Sequence, residues 1–131
     1  MKAAFVTLMI TAFSIIITVP DIAHGMNKAG PHGGYIRMPG EYHIELVPDG
    51  KELRVYFLDM KFTPIPLNDA TLELTLTAKK PLKAQCLREM HFFRCDIGEQ
   101  SFKKFKEVVI ESSLDGKTEA TSNYKIPLKF M

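Results

Sequence analysis

From Tyr35 to the C-terminus, apolar residues recur at every second position in short runs separated by turn residues. Tyr42, Ile44 and Leu46 alternate with His43 and Glu45, which predicts a half-buried strand. Pro48-Asp49-Gly50 supplies a turn, because Pro presets φ and Gly accepts a positive φ. Leu53, Val55 and Phe57 then alternate with Arg54 and Tyr56, so the two runs form a hairpin. The segment from Asp59 to Asp69 carries Pro64, Pro66 and Asn68, and reads as a connection. Leu72, Leu74 and Leu76 give the cleanest alternation. Leu82–Leu87 and Phe92–Ile97 form another strand pair, and Ser101–Lys106 a basic crossing segment with room for one helical turn. Val108–Ile110 resumes strand character, Leu114-Asp115-Gly116-Lys117 is a hairpin turn, and Tyr124, Ile126, Leu128 and Phe130 alternate to the end. Pro127 marks that last strand as an edge.

About seven short strands, spaced by turn signals roughly every 8–12 residues and without a long amphipathic helix, predict an all-β chain. The expected fold is an immunoglobulin-like Greek-key β-sandwich over residues 35–131.

The start of the chain has a different pattern. Met1-Lys2 precedes an uncharged apolar run from Ala3 to Val19, broken by Pro20-Asp21 and followed by Ala23-His24-Gly25. This is the pattern of a cleaved signal peptide, residues 1–25. A membrane anchor is the competing reading, since such a run approaches the roughly 18 apolar residues of a spanning helix. Two cleavage positions compete as well, after Gly25 and after Ala23. The second would leave His24 as the mature N-terminus, where a terminal amine and an imidazole together chelate copper. With the signal removed no membrane span is expected, and the chain is placed in the periplasm or outside the cell. Residues 26–34, polar and containing Gly and Pro, are expected to form a flexible arm before the sandwich.

Composition narrows the partners. A net charge of +2 with no basic stripe interleaved with aromatics excludes a nucleic-acid surface. The two cysteines, Cys86 and Cys95, flank a hairpin centred on Met90-His91, where they face each other. In an oxidising compartment that arrangement predicts a disulfide. The alternative is a soft Cu(I) site of Cys86, Met90, His91 and Cys95.

Candidate metal chemistry lies between the signal and the first hairpin. In Pro31-His32-Gly33-Gly34 an imidazole precedes two unhindered amides, a set able to anchor Cu(II) and complete a square-planar nitrogen field. An exposed turn beside an ordinary His is the competing reading of the same residues. His43 is a rigid, strand-borne imidazole sharing its face with Glu45. Glu41 and Glu45 are taken singly as solvated carboxylates, and together as oxygen ligands or as acceptors that orient an imidazole. Asp59 ends its strand, where it caps the following turn or pairs with the arm. There is no His-Glu-x-x-His run, no Gly-x-Ser-x-Gly elbow and no phosphate-cradling loop, so no enzyme activity is expected.

Taken together, Pro31-His32-Gly33-Gly34, Tyr42-His43-Ile44-Glu45-Leu46-Val47 and Val55-Tyr56-Phe57-Leu58-Asp59 resemble a family of small exported bacterial proteins with an HGG…YHxELV pattern. A similar module occurs in periplasmic adaptor subunits of heavy-metal efflux pumps. The resemblance implies a copper-binding carrier or efflux accessory, with an envelope efflux or adaptor protein as partner. Carried over by position, it implies His32 and His43 as ligands and Glu45 and Asp59 as secondary ones. Cys86 and Cys95 are not part of the pattern. The expectation from a different class is a metal-free sandwich that docks an envelope partner.

Overall fold

The alternations at Tyr42–Leu46, Leu53–Phe57 and Leu72–Leu76 all become strands. The computed structural model describes residues 28–130. Its nine strands are β1 (Tyr35–Arg37), β2 (His43–Asp49), β3 (Glu52–Leu58), β4 (Ala70–Thr77), β5 (Leu82–Lys83), β6 (Gln85–Arg88), β7 (Phe92–Asp96), β8 (Glu107–Leu114) and β9 (Ala120–Lys125). One sheet has the order β1-β2-β3-β7-β6 and the other β5-β4-β8-β9, and all neighbours are antiparallel. The expected signal peptide, His24 and the first residues of the expected arm lie outside the described residues. Among the described residues no helix is long and apolar enough to cross a membrane.

Without the very short β1 and β5, seven strands remain. The first, second, fifth and fourth of these share one sheet, and the third, sixth and seventh the other. That is the strand arrangement of a constant-type immunoglobulin domain. The inward residues of both sheets interlock as one core: Ile44 and Leu46 of β2, Val55 and Phe57 of β3, Leu74 and Leu76 of β4, Val108 and Ile110 of β8. Each is under 1% exposed, and burying one such aliphatic or aromatic side chain is worth about 1.5–3 kcal/mol. Alternation therefore decides both strand and facing.

Two expected strands are remade by the sandwich. Leu82–Leu87 is not a single strand: Leu82–Lys83 pairs with β4 in one sheet, and Gln85–Arg88 pairs with β7 in the other. The crossing falls at Ala84, whose small side chain is buried between the layers. At the C-terminus β9 stops at Lys125, and the Ile126 N–H makes the last bond toward β8, to the Lys106 carbonyl at 2.9 Å. Phe130 instead stacks on Tyr35 across the open side, ring centroids 4.6 Å apart.

Cys86 and Cys95 are directly opposed across β6 and β7 and form a disulfide, with Cα atoms 4.0 Å apart. The bond consumes both thiols, so the soft four-residue Cu(I) set loses its thiolates.

Candidate functional site

Glu45 is the unexpected residue. Its β2 position places it opposite Ile36 of β1 and Tyr56 of β3, on the sheet face turned away from the core. Alternation there predicts a solvated carboxylate, yet Glu45 is 0% exposed. Residues 30–34 fold back over this face and cover it. The Gly33 N–H donates to the Gly30 carbonyl, and the Gly30 N–H to the Gly34 carbonyl, both at 2.9 Å, closing a small turn.

The carboxylate holds that turn from below. Its Oε2 accepts the backbone N–H of His32 at 2.9 Å and of Gly34 at 2.8 Å. Its Oε1 accepts from His32 Nδ1 at 2.7 Å. A carboxylate can only accept here, so Nδ1 carries the proton of this bond, and Nε2 takes no part in it. The imidazole also stacks on Tyr56, centroids 3.6 Å apart and planes within 10°. Tyr56 in turn packs against Phe92, and Arg54 lies over the Phe92 ring. His32 thus continues a surface ladder of rings.

Glycine is required in this turn for steric reasons. A Cβ at Gly34 would sit 2.5 Å from the Leu46 carbonyl oxygen, and one at Gly30 would collide with the Glu45 carboxylate. Gly33 needs freedom of another kind: its φ is 77°, with open space around it.

His43 occupies the same face two residues earlier and is 8% exposed. Its Nδ1 donates to the Asp59 carbonyl at 3.1 Å, and its ring stacks on Phe62 at 4.3 Å. The Asp59 carboxylate accepts the N–H groups of Lys61 at 2.8 Å and Thr63 at 3.0 Å. Asp59 therefore caps its turn, and only its main chain meets His43. Phe62 takes a φ of 63° inside that turn.

These contacts bear on the copper chelate expected at His32. Chelation through the residue's own following amides uses Nδ1, the ring nitrogen nearer the main chain, together with the amides after it. Here Nδ1 and the Gly34 N–H are both bound to Glu45, and the Gly33 N–H to Gly30. The clamp and the chelate are mutually exclusive. Among the described residues no group of three or more His, Cys, Asp and Glu side chains is arranged to hold a metal. His32 and Glu45 are brought together, whereas His43 and Asp59 form a separate pair one turn away. Sequence reasoning missed Gly30 and Tyr56. The signal for Tyr56 was its place opposite Glu45 in the hairpin; Gly30 had none beyond its composition.

Compared with known proteins, the chain matches no family model, no curated protein and no solved structure. The fold and site define a class only: an immunoglobulin-like sandwich with residues 30–34 locked onto one outer face.

Proposed function

We propose that the chain is a metal-free interaction module of the cell envelope, acting after export, and that its His-Gly-Gly turn is a structural lock. One observation carries this reading: the buried Glu45 carboxylate spends its acceptors on His32 and Gly34. The motif residues that would chelate a metal are consumed in fixing the N-terminal segment over the sheet. Titration of the mature chain with CuCl2 tests it, followed by calorimetry and by hydrogen exchange at the Gly34 amide. The module reading expects no saturable site and no change in Gly34 protection.

A second reading keeps the copper function. It is favoured by the orientation of His32, whose Nδ1 is held by a buried carboxylate in the manner of metal-ligating imidazoles. In that reading Nε2 is the ligand atom, Glu45 orients it, and the protein is a periplasmic copper carrier or accessory to metal efflux. A saturable Cu(II) site abolished by His32→Ala would replace the first reading with this one. Release of Gly34 protection on binding would show that copper opens the clamp.

A further inference from the structure

The open side of the sandwich, between the edge strands β1 and β9, carries features that the clamp does not use. A cavity of about 660 Å³ lies there, walled by Ile126 and Pro127. Its rim has three cations, Arg37, Lys125 and Lys129, against one carboxylate, Glu107. The cavity size is that of a recognition site. β9 is the last strand of its sheet. The Ile126 N–H donates to the Lys106 carbonyl at 2.9 Å, toward β8, whereas the Asn123 carbonyl faces the other way and accepts from Arg37 Nε at 3.1 Å. By strand alternation the main-chain groups of Thr121, Asn123 and Lys125 point out of the sheet. Such an edge is a template for another strand.

We infer that the β9 edge binds an extended segment of a partner protein, with acidic and apolar residues at alternate positions, as an added strand. The outward main-chain groups of β9 bond the segment, which displaces Arg37 from the Asn123 carbonyl. Its apolar side chains fill the Ile126–Pro127 wall, and its carboxylates meet Lys125 and Lys129. Strand addition of this kind takes affinity from the main chain and specificity from alternate side chains. The cationic rim selects an acidic partner over a second copy of this chain, which would bring the same cations to the same edge. The inference rests on the reading of the chain as an interaction module. Copper titration decides that reading, and peptide binding decides this one.

The test is fluorescence anisotropy of the mature protein with a labelled six-residue peptide alternating glutamate and valine. Saturable binding is expected, absent for the lysine–valine counterpart. The double variant Lys125→Glu, Lys129→Glu should weaken it at least about tenfold. Thr121→Pro, which removes an outward N–H from an edge strand, should do the same with an unchanged melting temperature. A glutamate–valine peptide interrupted by proline provides the matching test on the ligand should Thr121→Pro disturb the fold, and it should not bind. No saturable binding overturns the inference. Equal binding of the proline-interrupted peptide would mean attraction by charge alone and overturns strand addition. A concentration-dependent dimer abolished by Lys125→Glu would assign the edge to a second copy and overturn the acidic partner.

Discussion

Glu45 Oε1 lies 2.7 Å from His32 Nδ1, and the pair joins a strand in the sheet to a segment 13 residues earlier in the chain. The carboxylate lies beneath the turn, and the imidazole fits between it and the Tyr56 ring. A fully buried carboxylate is tolerated only when both its oxygens are hydrogen-bonded, and two main-chain donors on Oε2 with one ring donor on Oε1 do this. The lock is thus reciprocal. Covering by the turn buries Glu45, and Glu45 supplies the acceptors that the turn lacks.

Glu45→Ala should therefore destabilise the domain strongly. It orphans the His32 and Gly34 N–H groups, each at about 1–3 kcal/mol, so a loss on the order of 2–6 kcal/mol is expected in urea unfolding. Protection of the Gly34 amide against exchange should fall even under conditions where the core amides stay protected. Unchanged Gly34 protection in Glu45→Ala would show that the turn stands without the clamp.

The glycines of the turn separate two physical demands. Gly34→Ala forces a Cβ against the Leu46 carbonyl and should shift the turn off the sheet. Gly33 has space but a φ of 77°, so Gly33→Asn, the residue that best accepts that region after Gly, should cost little. Chemical denaturation of the two variants checks the order: Gly34→Ala clearly below the parent chain, and Gly33→Asn within about 1 kcal/mol of it.

Most of the sandwich was legible because its signal is local. Leu72-Glu73-Leu74-Thr75-Leu76 alternates, and β4 follows it. The opposed cysteines also follow from spacing around one hairpin. Glu45 was legible only in part. Alternation assigns it correctly to the face away from Ile44 and Leu46, but cannot show that residues 30–34 return to cover that face. Burial there is set by contacts 11 and 13 residues apart, which no period within a strand encodes. The same limit applies to Leu82–Leu87, whose hydrophobic pattern does not reveal that Ala84 passes from one sheet to the other.

The disulfide should contribute through the unfolded chain. It closes a loop of nine-residue separation between Cys86 and Cys95, and the chain-entropy model gives about 2–3 kcal/mol for a loop of this size. Urea midpoints of the oxidised protein and of the Cys86→Ala, Cys95→Ala double variant measure it. A loss of this order is expected with retention of the β-rich circular dichroism spectrum, because the sheet ladder between β6 and β7 does not depend on the bond.

Tyr124 gives the fold an alkaline limit. Its ring is fully buried, and its hydroxyl donates to the carbonyls of Tyr35 and Ile44, each at 3.2 Å. Burial pushes the phenol well above its ordinary range; the Arg37 guanidinium, 4.5 Å from the ring centre, pulls it back, and the Glu45 carboxylate pushes it further up. Below about pH 10 both folded and unfolded chains hold the proton, so the contribution of this residue is complete. Above that value the unfolded chain releases the proton while the folded chain retains it, and stability falls by about 1.4 kcal/mol per pH unit from this group. Tyr124→Phe removes that slope at a cost of about 1 kcal/mol at neutral pH for the lost hydrogen bonds. Urea unfolding at pH 7 and between pH 10 and 12 should show the variant less stable at the first and losing stability less steeply across the second. Parallel curves for the two proteins above pH 10 would mean that the phenol ionises in place without opposing the fold.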